Sequence, residues 1–438
     1  MSSRFKITGV DACTPGGVLK NAAIVVENGR IVSVGDPAPP DLPQVDAPGC
    51  LALPGFIDIH CHGARLFEFD EGVFDPHAGT FDSTDQAMSD GLARYARYKA
   101  TEGVTGFYPA SSAGPTEQLR RAFALLADYI AGEANGVEGA RVGGALLEGT
   151  FYNPAMAGAQ DTRYALQPAR DTFDQLNERG VIKLANVAPE FGQAACDLIA
   201  HLADIGVVPG AGHTDATADQ FRDAVRHGLR YVIHFTNGPT GGSYKPFNGG
   251  GTIEATLQTD QVYAEQICDG YHVNPAYVRD IIARKGRDHI LAVTDQIFVA
   301  GSDVRSFRSG ELDGEVAPDG THVRVLNKKN TLFGSCTSMH LCFANLLSWL
   351  TREMTGVWNR SHEALPLDDA LAAASRMSST NPARLLGLLD HPQNPTGSLE
   401  PGKCADIVLG RLDGQPGDYR FTVKQLFVRG RHIDLQTA

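Results

Sequence analysis

Apolar and polar positions alternate at both ends of the chain and change rhythm in between. Near the start, Ala22-Ala23-Ile24-Val25-Val26 and Arg30-Ile31-Val32-Ser33-Val34 read as strands, with Glu27-Asn28-Gly29 as the hairpin turn between them. The same texture returns at Ala405-Asp406-Ile407-Val408-Leu409 and Val423-Lys424-Gln425-Leu426-Phe427-Val428, after a turn-rich stretch over residues 392–402. Pairing the two ends predicts a small discontinuous β-sandwich domain, mostly antiparallel, built from residues 1–54 and 391–438.

Between them, over residues 55–390, short apolar runs alternate with helical patterns. Candidate strands lie at 56–59, 106–108, 143–147, 182–184, 207–208, 231–233, 263–267 and 290–293. Eight such strands with intervening helices predict an α/β fold of the (β/α)8 TIM-type barrel class. One helix start is explicit: Thr217-Ala218-Asp219 caps a segment with Phe221, Ala224 and Val225 on one face, closed by Gly228.

Composition narrows the function classes. At 438 residues and 42% hydrophobic content, the chain can bury a large core. Its 38 basic and 51 acidic residues give a net charge of -13, and no Lys/Arg run offsets it, which argues against nucleic acid and anionic membranes as partners. No apolar run is long enough to span a bilayer, and residues 1–6 lack a signal-peptide pattern, so the expected compartment is the cytoplasm. Eight dispersed cysteines without a Cys-x-x-Cys pair read as reduced core residues.

Candidate chemistry sits directly after the apolar runs. His60 and His62 lie two apart, so an extended strand points both rings to one side and can present them to one metal. Glu148 ends Gly144-Ala145-Leu146-Leu147; a carboxylate at a buried strand end needs a cation, either a metal or a basic side chain from a neighbouring loop. His213 follows Gly210-Ala211-Gly212, and His234 follows Val232-Ile233. Alone, each is an ordinary core or surface histidine; together, at successive strand ends, they favour a metal centre at one barrel mouth. Asp295, after Val293-Thr294, fits a proton-transferring carboxylate, with a helix cap as its structural alternative.

With these residues in place, the chain resembles the amidohydrolase superfamily, and within it the N-acetylglucosamine-6-phosphate deacetylase family. The resemblance rests on Pro54-Gly55-Phe56-Ile57-Asp58-Ile59-His60-Cys61-His62-Gly63, Leu147-Glu148-Gly149, Asn153-Pro154, Gly212-His213-Thr214-Asp215, His234-Phe235-Thr236-Asn237, Asp269-Gly270-Tyr271-His272, Val293-Thr294-Asp295 and Asn381-Pro382-Ala383-Arg384, in that order along nearly the whole chain. It implies hydrolysis of the N-acetyl group of an amino sugar phosphate by a divalent metal, Zn2+ or Fe2+, with one or two ions per subunit. By position it implies Glu148, His213 and His234 as shared ligands, His60 and His62 as holders of a second ion, and Asp295 as the catalytic aspartate. Many other amidohydrolases bridge two metals with a lysine at the fourth strand end. In this chain Lys183 falls too early, so Glu148 is the expected bridge.

The resemblance further implies His272 as a second catalytic or sugar-contacting group. Asn237 and Gly238 would contribute backbone amides to the substrate, and a homodimer would bring in a phosphate-binding residue from its partner subunit. Lys245 stands at or near the place of the family's arginine, and Gln160 at that of a histidine, which exchanges a bidentate fork for a point charge and a charged ring for a neutral amide. The acidic stretch over residues 68–85 is longer than the pattern requires. Pointing inward it would repel a dianion; otherwise it is a solvated lid or a dimer contact. A different N-acyl or cyclic amide substrate is the alternative reading.

Overall fold

The computed structural model describes residues 4–35, 37–237, 249–328, 331–357 and 360–436. Eight parallel strands form the central barrel: Phe56–Cys61, Val104–Ser111, Ala145–Phe151, Ile182–Val187, Val208–Ala211, Tyr231–Val232, Tyr263–Ile267 and Ile290–Val293. They fall on all eight expected apolar runs. Parallel strands are covered on both faces, which is why they read as continuous apolar runs without alternation. Inside the barrel, Ile57, Ile59, Leu146, Leu184, Ile233 and Leu291 pack together, fully buried, and helices cover the outside.

Neighbouring strands from the first to the eighth are joined by ladders. The seam between the eighth and the first closes differently, by Asp295 N–H donating to the His60 carbonyl at 2.8 Å and His62 N–H to the Gln296 carbonyl at 2.7 Å. Gly149 shows how tight the packing is: a Cβ there would lie 2.2 Å from the Ala113 nitrogen. Only glycine lets the end of the second strand rest against the strand carrying Glu148.

Both chain ends meet in one seven-stranded sheet. The hairpin of Gly17–Glu27 and Arg30–Val34 turns through Asn28 and Gly29, both at positive φ, as a two-residue turn requires. Strand Gln44–Pro54, which the alternation did not predict, pairs parallel to Arg4–Thr14 and antiparallel to Ile407–Gln415, and so joins the N-terminal strands to the C-terminal ones. The sheet is continuous, and its far strand Arg30–Val34 contacts the segment leading into Ile407–Gln415, with Ile31 N–H donating to the Lys403 carbonyl at 2.9 Å. Phe5 and Phe427 stack inside it at 5.5 Å.

Two small antiparallel sheets sit over the barrel mouth. One is built from short strands within residues 63–82; the other comprises Ser306–Ser309, Leu312–Val316, His322–Val325 and Leu332–Ser335. They share a core of Phe74, Phe298 and Phe307. Helix Ala218–Arg226 starts at Thr217, as its sequence predicts, and the structure adds a capping box with Gln220. None of the described helices is long and apolar enough to cross a membrane. Seven of the eight cysteines are buried and the eighth, Cys336, is partly so.

Candidate active site

His60, His62, Glu148, His213, His234 and Asp295 converge at the C-terminal mouth of the barrel, all buried. His213, His234 and Asp295 follow their strands with positive φ of 47°, 28° and 50°. The chain therefore turns sharply at each strand exit and aims the side chain into the mouth, in a backbone state that is uncommon outside glycine but that His and Asp enter more often than most residues.

Glu148 is the hub. Its Oε1 lies 3.0 Å from His213 Nε2, 3.1 Å from His234 Nε2 and 3.7 Å from His60 Nε2, and its Oε2 lies 3.3 Å from His62 Nε2. Two triads share it: His60, His62 and Glu148, and Glu148, His213 and His234, each with its ligand atoms within 4.8 Å of one another. Burial by itself would raise the Glu148 carboxyl, but His60, His213 and His234 outweigh it and hold it well below the ordinary range.

The hydrogen bonds show what this donor set fits. His213 Nδ1 donates to the Met156 carbonyl at 3.0 Å, so the neutral form of the ring would carry its lone pair on Nε2, facing a carboxylate oxygen. His60 Nδ1 donates to Glu265 Oε2 at 2.8 Å, and its Nε2 is buried without a hydrogen-bond partner. Acceptors facing acceptors in a buried site call for a cation, and carboxylate or carbonyl partners behind the rings are the usual support of metal-bound histidine. The residues fit one or two divalent ions.

Asp295 Oδ1 stands 3.3 Å from His62 Nε2 and 3.6 Å from His60 Nε2. Burial would raise its carboxyl, but the histidines, His62 foremost, lower it, so it is held as carboxylate. Across the mouth, His272 Nδ1 donates to Asp269 Oδ2 at 2.6 Å, and its Nε2 lies buried without a hydrogen-bond partner. Burial would lower the His272 pKa, but Asp269 reverses the shift and favours the imidazolium, which donates from Nε2.

A cavity of about 650 Å³ opens over these groups, within the range for a small-molecule substrate. Asn237 and Gln160 line it. Gln160 does more than face the substrate space: its Nε2 donates to Glu148 Oε2 at 2.9 Å, and its Oε1 accepts from Ala113 N–H at 2.6 Å. The expected contacts Gly238 and Lys245 lie outside the described residues.

The acidic stretch divides in two. Glu68 and Asp70 are buried staples, accepting from Phe298 N–H and Ser112 N–H at 2.8 Å each, and so tie the first-strand loop to the eighth- and second-strand loops. Glu68 and Glu71 reach the cavity, and burial pushes their carboxyls up to about 8 and about 7. Asp75 and Asp85 lie on the surface. Two cationic side chains face the same cavity: Arg163, paired with Asp161, and Lys328, whose Nζ donates to the Gly158 carbonyl at 2.5 Å.

Glu265 escaped the sequence reading although it orients two of these histidines, accepting from His60 Nδ1 and from His234 N–H at 3.0 Å. Its signal was a carboxylate inside the barrel strand Tyr263–Ile267. Lys183, by contrast, turns away to the Gly180 carbonyl, and Asn186 occupies the fourth strand end, donating to the Glu148 carbonyl at 3.2 Å. No lysine stands there to bridge metals.

A barrel with converging imidazoles, a shared carboxylate and an aspartate beside them defines a hydrolytic site of the metal-assisted class. Residues 51–433 match the amidohydrolase family, and the chain belongs to it. It is a hydrolase of C–N amide bonds, and the family acts with divalent metal ions. The chain is 30% identical over 421 residues to an N-acetylgalactosamine-6-phosphate deacetylase of Escherichia coli O157:H7, covering 95% of this chain and 96% of that one. It is 27% identical over 425 residues to the N-acetylglucosamine-6-phosphate deacetylase of Bacillus subtilis strain 168, covering 94% of each. Among solved structures, the N-acetyl-D-glucosamine-6-phosphate deacetylase of Mycobacterium smegmatis superposes with a TM-score of 0.80 at 26% identity, covering 98% of this chain and all of that one.

Proposed function

We propose that the protein hydrolyses the N-acetyl amide of an N-acetylhexosamine 6-phosphate, N-acetylglucosamine 6-phosphate foremost, to acetate and the amino sugar phosphate. The observation that carries this reading is the pair of His/Glu triads sharing Glu148, with Asp295 Oδ1 3.3 Å from His62. His60, His62, Glu148, His213 and His234 would hold one or two ions, zinc or iron. Such an ion supplies Lewis acidity, polarising the amide carbonyl and lowering the pKa of water toward about 7.

The remaining steps fall to the chain's own side chains. Asp295, a carboxylate in the resting site, accepts the proton of the attacking water and passes it to the departing nitrogen. His272, fixed by Asp269, donates from Nε2 to the substrate. Asn237 and Gly238 would contribute backbone amides to the sugar, Gln160 steadies Glu148 beside it, and Lys245 from a partner subunit, in a homodimer, would meet the phosphate. Lys328 and Arg163, on the cavity wall, offer further positive charge for a phosphate. The cytoplasm is the proposed compartment.

A second reading is favoured by Glu68 and Glu71 on the cavity wall, whose carboxyls, pushed up to about 8 and about 7 by burial, can donate hydrogen bonds to a neutral substrate. On that reading the acyl amide belongs to an uncharged compound. The galactosamine epimer is a third option, because the relative sharing 30% identity is named for it. The test is acetate release by metal-quantified protein from both 6-phosphates and both free sugars. Turnover of a phosphorylated sugar alone is expected; metal-loaded protein inert toward the phosphorylated pair, or preferring the free sugars, refutes the proposal.

A further inference from the structure

The seam between the eighth and first strands carries His60, His62 and Asp295, yet no strand ladder closes it among the described residues. Beneath it lies a buried charged cluster that none of the catalytic steps uses. Lys99, on helix Asp85–Thr101, donates to Asp58 Oδ2 at 2.9 Å and to Glu102 Oε2 at 2.6 Å, and all three side chains are at most 1% exposed. Burial by itself would drive the Lys99 ammonium down; Asp58 and Glu102 outweigh it and hold the group charged.

The two carboxylates reach the seam on either side of Asp295. Asp58 Oδ2 accepts from Thr294 Oγ1 at 2.6 Å, and its Oδ1 accepts from the backbone N–H of Thr294 at 3.3 Å and of His60 at 3.4 Å. Glu102 Oε1 accepts from Gln296 Nε2 at 2.8 Å; the same Nε2 donates to the Thr337 carbonyl at 2.7 Å. The residues before and after Asp295 are therefore both anchored to one lysine through one carboxylate each. Asp295 itself sits between them at φ 50°, a left-handed conformation that aspartate enters more readily than most side chains and that its surroundings hold in place here.

We infer that Lys99 is a positioning residue: through Asp58–Thr294 and Glu102–Gln296 it clamps the left-handed backbone of Asp295 and holds its carboxylate against the His60/His62 pair. A buried ion cluster is weak evidence for stability, since well-packed apolar side chains often serve as well. A carboxylate that has to keep its place is a reason for fixed charge rather than grease. The catalytic part of the inference rests on the proton-transfer role proposed for Asp295; the geometric part does not.

The test uses full-length, metal-loaded protein. Thr294→Val removes the shorter bond of the Asp58 arm, the 2.6 Å contact from Thr294 Oγ1, at nearly constant volume and with every charge in place; the 3.3 Å bond from the Thr294 N–H remains, and Thr294→Ser restores the hydroxyl donor. Expected for Thr294→Val is a fall in kcat of roughly 10–100-fold with KM and metal content within twofold of wild type, the scale of a reacting group displaced by about 1 Å. Thr294→Ser should recover most of the lost kcat, because the hydroxyl donor is back in place. Lys99→Met should lower kcat per folded, metal-loaded molecule to a similar degree. Variants that lose thermal stability but keep wild-type kcat would show the cluster to be structural only.

A crystal structure of Thr294→Val decides the geometry independently of substrate: Asp295 should leave positive φ or move its carboxylate away from His62, and an unchanged Asp295 overturns the clamp. Wild-type protein inert toward every amino sugar tested would instead count against the proposed function, with the crystallographic outcome still deciding the clamp.

Discussion

Replacing Asp295 by Asn puts the proposed chemistry to its sharpest test. The change is nearly isosteric and leaves the backbone holds intact: Asp295 N–H still meets the His60 carbonyl, and the Asp295 carbonyl still accepts from Ser335 N–H at 2.7 Å. What disappears is a proton acceptor whose Oδ1 lies 3.3 Å from His62 and 3.6 Å from His60, beside the space where water is activated. A positioned general acid–base group contributes about 10²–10⁴ in rate, or about 2.7–5.4 kcal/mol of barrier. Acetate release at saturating substrate, normalised to metal content, should therefore fall at least a hundredfold, with KM changed far less. Both triads are complete without Asp295, so metal content should hold. Retention of more than a tenth of wild-type kcat at full metal loading would remove Asp295 from the proton-transfer role and with it the proposed mechanism.

Other consequences can be checked separately. Glu148→Gln removes the anion common to both triads, and inductively coupled plasma mass spectrometry should find fewer than one tightly held ion per chain; wild-type metal content would rule out the bridging role. Lys328→Ala should raise KM for phosphorylated substrates roughly 10–100-fold, the worth of one hydrogen bond to a charged group, and leave unphosphorylated analogues unaffected. Gly149→Ala drives a Cβ into Ala113 and Ser112, and urea unfolding should register a loss of about 1–3 kcal/mol. Burial pulls the Lys285 ammonium from 10.5 to about 8, so between those values the unfolded chain binds more protons and stability rises with pH; Lys285→Met should flatten that rise in denaturation profiles taken from pH 7.5 to 10.5.

The barrel was legible because parallel strands covered on both faces must be apolar throughout, and the metal-site histidines because they interrupt such runs at their ends. Strand Gln44–Pro54 was not, since Asp46, Pro48 and Gly49 break its alternation although its neighbours supply the missing order. The sheet over residues 306–335 left a fainter trace in Ser309-Gly310 and Asp319-Gly320, turn dipeptides between short polar strands. Lys99 looks like any solvated helix lysine, and only the fold discloses that it meets Asp58 and Gln296 from distant parts of the chain. Gln160 was foreseen as a substrate contact, yet its bond to Glu148 depends on a loop path that residue types do not encode.

The seven-stranded sheet also sets a timetable for the newborn chain. Strand Gln44–Pro54 can pair with Arg4–Thr14 as soon as both emerge, but its other edge waits for Ile407–Gln415, some 350 residues later. At ribosomal rates of about 5–20 residues per second, that edge stays open for roughly 20–70 s. During this interval Leu51, Ala52 and Leu53 form an uncapped apolar template of the kind that recruits foreign strands. Yield from cells should thus depend on how fast the intervening stretch between these two strands is translated, a sensitivity that the finished enzyme, with both of its ends sewn into one sheet, no longer shows.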